Sequence, residues 1–281
     1  MNRNWRGSSV GLLAMVLLLG VWFSGGMAGG SRANAADNNG ASSDTQTTSD
    51  TTAVHIPVVY LAGDSTVQTY RASQRPQAGW GQMIASYFDD GVQFSNHSIG
   101  GRSSRSFIEQ GRLDTIVALL QPGDYLMVQF GHNDADSSKP ERYTPVNDYR
   151  NYLKTYIDRA RSKGATPILV TPVSRRDYNA ANGQFKPSFP EYVAAMKQVA
   201  AETNTLLIDL NARSVALYNT IGIEGTKSIF LHVAAGQYPY FPDGVQDNTH
   251  FQEQGAIKIA GLVATGIDEL NIPLSEHLLA P

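Results

Sequence analysis

The chain is 281 residues long, 42% hydrophobic and 17% charged, with 22 basic against 25 acidic side chains and no cysteine. After a non-globular N-terminal stretch is set aside, that length accommodates one large domain, and the composition excludes a collagen-like repeat, a coiled coil and a wholly disordered chain. The lack of cysteine removes disulfide scaffolds, thiolate nucleophiles, zinc ribbons and iron-sulfur clusters together, and a mean hydropathy of −0.25 with one apolar run of note excludes a polytopic membrane protein.

Arg3 and Arg6 precede an apolar segment from Val10 to Phe23, and Ala33-Asn34-Ala35 has the small-residue pattern of a cleavage site. Residues 1–35 therefore read as an export signal cut after Ala35, which implies a secreted, extracellular protein. The apolar core is shorter than the ~20 residues a spanning helix needs, and Gly25, Gly26, Gly29 and Gly30 interrupt it, so no stable membrane association is expected after cleavage. Residues 36–54, rich in Asn, Asp, Ser, Thr and Gly, bury too little to offset the entropy of ordering and read as a flexible spacer. Removing Arg3, Arg6 and Arg32 leaves 19 basic against 25 acidic side chains, a formal charge of −6, so nucleic acid finds no electrostatic footing.

Residues 55–281 carry alternating strand and helix signals. The β-branched run from Ile56 to Ala62 predicts a strand ending at Gly63-Asp64-Ser65, with a helix following over Trp80 to Phe88. Val92 to Asn96 predicts a second strand leading to Gly100-Gly101, then a helix from Leu113 to Leu120 that stops at Pro122-Gly123. A third strand from Tyr125 to Phe130 stops at Gly131-His132-Asn133-Asp134. Helices from Val146 to Ser162 and Pro190 to Thr203 alternate with strands from Thr166 to Thr171 and Leu206 to Leu210. Residues 222–249, rich in Gly, Tyr, Pro and His, read as an extended loop. A closing helix from Glu253 to Leu270 carries Ala256, Ile259, Ala260, Val263, Ile267 and Leu270 on one face, although Gly261 and Gly266 weigh against it. Such alternation predicts the α/β class, a parallel sheet with helices on both faces, because parallel neighbours need crossover connections.

Three polar motifs follow directly on the carboxyl ends of the first three strands, the rim where ligands bind open α/β sheets, and Asp247-Asn248-Thr249-His250 precedes the last helix. Acyl transfer requires such a set: a hydroxyl nucleophile (Ser65), an imidazole to take its proton (His250), a carboxylate to hold that imidazole (Asp247), and oxyanion donors (the Gly101 N–H, the Asn133 amide). Each motif alone has a plainer reading. Gly-Asp-Ser is turn-prone, Gly100-Gly101 suits a positive φ, Thr249 with Gln252 matches a helix capping box, and His55, His97, His132, His232 and His277 compete with His250. Their order and common placement at strand ends is what those plainer readings do not account for.

Gly63-Asp64-Ser65, Gly101, Gly131-His132-Asn133-Asp134 and Asp247-x-x-His250 resemble, in order, the four blocks of the SGNH (GDSL-type) hydrolases. The finer pattern, with Tyr60 to Thr66, Gly79-Trp80-Gly81 and Gly101 to Ser106, is similar to the rhamnogalacturonan acetylesterase branch. The resemblance implies a flavodoxin-like three-layer α/β/α sandwich with no cofactor or metal requirement. It implies Ser65 as nucleophile and first oxyanion donor, Gly101 and Asn133 as the other donors, and His250 and Asp247 as base and partner. It implies a carbohydrate esterase acting on an acetylated polysaccharide or oligosaccharide, rhamnogalacturonan or pectin first, with xylan acetylesterase or broad carboxylesterase/lipase activity as the alternatives. A pectic backbone is a polyanion, so a basic lining is expected against an acidic global field; Arg102, Arg105, Arg175 and Arg176 are its candidates. Trp80 and the Tyr238, Tyr240, Phe241 cluster are candidates for stacking on sugar rings.

Overall fold

The computed structural model describes residues 55–280; the expected export signal, its cleavage point and the spacer over 36–54 lie outside the described residues. The first half contains β1 (Val58–Gly63), β2 (Gln77–Ala78), α1 (Trp80–Met83), β3 (Gln93–Asn96), α2 (Ser104–Glu109), α3 (Arg112–Leu119) and β4 (Tyr125–Gln129). Then come α4 (Val146–Arg161), β5 (Thr166–Val170), the short pair β6 (Tyr178–Asn179) and β7 (Gln184–Phe185), and α5 (Pro190–Thr203). The chain closes with β8 (Leu206–Ile208), α6 (Leu210–Gly225), β9 (Phe230–Val233), β10 (Val245–Gln252) and α7 (Glu253–Leu270).

Five strands form a parallel sheet in the order β3-β1-β4-β5-β8, the flavodoxin-like arrangement expected. The chain steps from β1 outward to β3, then returns past β1 to β4. That reversal leaves a crevice at the carboxyl ends of β1 and β4, since the crossovers on its two sides leave in opposite directions. Strand side chains alternate between faces. Val59 and Leu61 join one core with Trp80 of α1, Tyr218 of α6 and Ile259 of α7, while Tyr60 and Ala62 join another with Phe107 of α2, Leu153 of α4 and Met196 of α5. With both faces covered, β1, β4, β5 and β8 are apolar along most of their length, whereas the edge strand β3 (Gln93–Asn96) is largely polar, and each fully buried Leu, Ile or Phe contributes roughly 1.5–3 kcal/mol of transfer free energy.

The expected strands and long helices are present, with ends shifted by one or two residues. The expected helix from Trp80 is a single α-turn continued by a 3-10 turn over Ile84–Tyr87. The reading of 222–249 as an extended loop is corrected. Residue 222 lies inside α6, whose helix breaks where Gly222 takes φ 71, and β9 and β10 pair antiparallel within the segment, with β2 on the other side of β10. Two features hid this: α6 buries a weakly apolar set that includes Asn211 and Ser214, and β10 is bulged, so its side chains do not keep a period of two.

The glycines of α7 mark close approach to the rest of the core. A Cβ on Gly266 would lie 2.5 Å from Ile208 Cγ2, and one on Gly255 only 1.9 Å from the backbone oxygen of Ile229. Gly255→Ala therefore gains about 1 kcal/mol of helix propensity but loses more to overpacking, for a net cost of about 1–2 kcal/mol. Urea denaturation reads this directly, and an unchanged midpoint would show that α7 does not sit so close to residue 229.

Candidate active site

The site begins where β1 runs out. Asp64 is fully buried, and its Oδ1 accepts from the Thr66 N–H at 2.9 Å and the Thr66 hydroxyl at 2.8 Å. Its carbonyl accepts from the N–H groups of Val67 and Gln68, closing a turn around Ser65. Tyr70 donates its hydroxyl to the Ser65 carbonyl at 2.8 Å; burial first, then the Asp64 and Asp247 charges, push that phenol's pKa up. Trp80 belongs to the same support. It is fully buried, its Nε1–H donates to Gln129 Oε1 at 2.9 Å, and Gln129 Nε2 donates to the Thr66 hydroxyl at 2.7 Å. The expectation that Trp80 stacks on a sugar is corrected: its ring is sealed in the core and braces the Ser65 turn. The exposed aromatic is Tyr240, 49% accessible, in a polar groove with Gln68, Thr69, Arg71 and Gln74.

Asp247 and His250 lie on β10, not on a helical turn. The ladder to β9 pairs Asp247 with Leu231 and then Phe251 with Phe230, so the residues between them bulge out of the strand. The bulge is closed by Asp247 Oδ1, which accepts the N–H of Thr249 at 2.7 Å and of His250 at 3.0 Å. Asp247 Oδ2 lies 2.6 Å from His250 Nδ1, and His250 Nε2 lies 2.8 Å from Ser65 Oγ. Burial pulls the Asp247 pKa upward, but the His250 ring and the two backbone donors outweigh it and hold the carboxyl well below the usual carboxylate range. The capping-box alternative does not form: Gln252 is the N-cap residue of α7 and its side chain makes no capping bond. The competing histidines are placed elsewhere, His55 against Asp124, His97 against Ser95, His232 against Asn248 and His277 against Asp89.

Gly100 and Gly101 lie beside Ser65. A Cβ on Gly100 would stand 3.4 Å from Ser65 Cβ, the Gly100 N–H donates to Gln68 Oε1, and Gly101 takes φ 77, a conformation that favours glycine. Asn133 Nδ2 donates to the Arg102 carbonyl at 2.8 Å, which ties the third motif to the second and leaves its other amide hydrogen available. Among the described residues, neither the Ser65 nor the Gly101 N–H donates to another backbone acceptor outside the regular elements. Arg102 and Arg105 are turned onto the protein. Arg102 donates to the Gly100 carbonyl and Gln110, and Arg105 to Glu109 and the carbonyls of Pro140 and Tyr143. Both guanidiniums thus hold the segments around Gly101 in place.

Two more buried acids flank the site. Asp64 Oδ2 lies 3.4 Å from His132 Nδ1; burial raises the Asp64 pKa, while His132 and the Thr66 donors outweigh burial and bring it below the ordinary value. Asp134 is fully buried and accepts from the Ser104 N–H and hydroxyl; here burial wins and pushes the carboxyl up to about 7. Gln68, Tyr70 and Gln129 support the site and were not anticipated. Only proximity in sequence to Gly63-Asp64-Ser65 and to Gly131 pointed to them, because their partners are set by tertiary contacts.

A family model described as GDSL-like lipase/acylhydrolase matches residues 59–263. A probable rhamnogalacturonan acetylesterase, YesY, of Bacillus subtilis is 49% identical over 222 residues, covering 79% of this chain and 97% of its own length. A second B. subtilis protein, the rhamnogalacturonan acetylesterase RhgT, is 44% identical over 79% of this chain and 94% of its own length. Among solved structures, the B. subtilis protein YxiM superposes with a TM-score of 0.68 at 31% identity, covering 79% of this chain and 58% of that one. An acetylxylan esterase of Geobacillus stearothermophilus shares the fold with a TM-score of 0.54 at 17% identity, over 75% of this chain and 94% of its own.

Trp80→Phe keeps the apolar ring but strands Gln129 Oε1, at a cost of about 1–3 kcal/mol in urea denaturation, with KM for a small ester unchanged. A rise in KM without loss of stability would restore the stacking role. Asp134 has a folded-state pKa raised above its unfolded value, so it contributes stability below the usual carboxylate pKa that is lost as pH rises through about 7. Asp134→Asn should therefore cost less stability at pH 8 than at pH 5; an equal cost at both would show the carboxyl to be ionised throughout.

Proposed function

The chain belongs to the GDSL-like lipase/acylhydrolase family and is a serine ester hydrolase, and on that premise we propose that it removes acetyl groups from plant cell-wall polysaccharide, rhamnogalacturonan in particular, as a secreted enzyme. The observation that carries the chemistry is the continuous path from Ser65 Oγ through His250 to Asp247, 2.8 and 2.6 Å long. His250 Nε2 takes the Ser65 proton as Oγ attacks the ester carbonyl carbon, and Asp247 fixes the tautomer and stabilises the imidazolium. The new oxyanion is met by the N–H groups of Ser65 and Gly101 and by Asn133 Nδ2. On collapse, His250 hands the proton to the departing sugar oxygen, leaving acetate esterified to Ser65. Water, deprotonated by the same imidazole, then attacks that ester; the returning proton regenerates Ser65 and acetate leaves.

The substrate class rests on the two relatives above 40% identity that are named for rhamnogalacturonan. The open groove beside Gln68 supports it, since a polar cleft rimmed by one exposed tyrosine suits a sugar chain better than a long acyl chain. Secretion rests on the signal-like segment over residues 1–35.

Ser65→Ala and His250→Ala are each expected to lower kcat by at least about 10³-fold, with the double variant little worse than either, because the groups act as a unit. Asp247→Ala should cost less than either. The decisive measurement is acetate release by the exported protein, whose N-terminus should read Ala36, across acetylated polysaccharides. Release no faster from acetylated rhamnogalacturonan than from acetylated xylan would sink the pectic assignment, and preference for long-chain nitrophenyl esters would favour a lipase.

A further inference from the structure

Of the arginines that a polyanionic substrate requires, three are engaged by the protein: Arg102 and Arg105 as above, and Arg176 by Thr226 and the Ile223 carbonyl. Arg175 differs. It is exposed, and among the described residues no carboxylate lies within ion-pairing distance of it and no acceptor engages its guanidinium. That guanidinium lies over the Phe189 ring, 4.9 Å from its centroid. Phe189 in turn meets the buried His132 ring edge-on at 4.7 Å, one residue from Asn133. On the other side, the Arg176 N–H donates to the Asn248 carbonyl at 2.9 Å, inside the segment that carries Asp247 and His250. Arg175 thus follows the carboxyl end of β5, its ring platform packed on the residue before Asn133 and its neighbour bonded to the segment that carries His250.

Two features mark the arrangement as built. Phe189 holds φ 58 and ψ 46, a left-handed conformation that a bulky residue adopts only when its surroundings impose it, at the first cap of α5. The ring so placed is a platform that orients a flat cation without neutralising it, since a cation–π contact leaves the guanidinium's edge N–H groups pointing outward. A planar fork with no internal carboxylate, beside an ester-cleaving centre in an acidic protein, lacks a planar anion.

We propose that Arg175, seated on Phe189, is a specificity-determining residue that binds the carboxylate of a uronic acid residue in the acetylated polysaccharide. The inference rests on the pectic acetylesterase reading and sharpens it: rhamnogalacturonan presents galacturonate carboxylates along its backbone, whereas an unsubstituted acetylated xylan backbone presents none.

The test compares the full-length enzyme with Arg175→Gln and Arg175→Lys in two assays. In the first, Arg175→Gln should lower kcat/KM for acetate release from acetylated rhamnogalacturonan about tenfold, chiefly through KM, with 4-nitrophenyl acetate turnover within about twofold of the parent and Arg175→Lys intermediate. In the second, trigalacturonate should inhibit 4-nitrophenyl acetate hydrolysis by the parent, about tenfold more weakly for Arg175→Gln, while xylotriose should inhibit neither differentially. If the variant releases acetate from the uronate polymer as well as the parent does, Arg175 is not the carboxylate site and the acetylesterase reading stands. If the parent releases no acetate from that polymer, the acetylesterase reading fails, and the trigalacturonate comparison still decides whether Arg175 binds a uronate. Loss of 4-nitrophenyl acetate turnover in Arg175→Gln would overturn the proposal by giving the residue a general role in the site's integrity.

Discussion

A carboxylate without solvent has to find its partners inside the protein, and Asp64 does so unevenly: one oxygen is hydrogen-bonded by Thr66, while the other has only the His132 ring beside it, 3.4 Å away. Asp64 stands at the end of a central strand, so its side chain cannot reach water. Its Oδ1 draws in the backbone and hydroxyl of Thr66, which bends the chain sharply after β1 and leaves Ser65 at the apex. Thr66 is itself held by Gln129 from β4, and Gln129 by Trp80. The turn that presents Ser65, the proposed nucleophile, is therefore clamped by two strands and a helical turn before any substrate arrives, the kind of preorganisation that acyl transfer exploits.

The same crevice collects three acids whose environments set them apart. Asp247 is held well below the usual carboxylate range by an imidazole and two backbone donors, Asp64 is brought below its ordinary value by His132 and Thr66, and Asp134, with only Ser104 and Thr144 to stabilise a charge and Asp64 to oppose it, is driven toward neutrality. Carboxylates this close cannot all be charged cheaply, and the division follows from which of them faces an imidazole. The outcome leaves negative charge against the His250 ring, where the proposed mechanism forms an imidazolium.

His250 reaches Ser65 across 185 positions of sequence, by way of an irregular strand. A regular strand would send Asp247 and His250 to opposite faces, since their spacing is odd. The bulge cancels that alternation, and Asp247 stabilises the bulge by accepting the two N–H groups that the ladder gives up. One carboxylate thus supports both the backbone shape and the imidazole, so this short segment is a single physical unit.

The repeating strands and helices were legible in the sequence because burial on both faces makes the central parallel strands nearly continuously apolar, and the polar stops at Ser65, Gly101 and Asn133 marked the carboxyl-end rim of the sheet. Motif order alone singled out Ser65, Asp247 and His250, and the fold brings the His250 ring within hydrogen-bonding distance of both other side chains. What stayed hidden were features without a local signature: the bulged β10, the weakly amphipathic α6, the burial of Trp80, and the engagement of Arg105 by the carbonyls of Pro140 and Tyr143, far along the chain. Sequence by itself determined which chemical groups are present and at which strand ends they emerge, because periodicity and turn chemistry are properties of neighbouring residues. Only the tertiary structure decided, among the described residues, which imidazole meets the hydroxyl, which candidate aromatic remains exposed and which of the four candidate arginines keeps an unpaired cation, because each depends on partners brought together by strand order and packing.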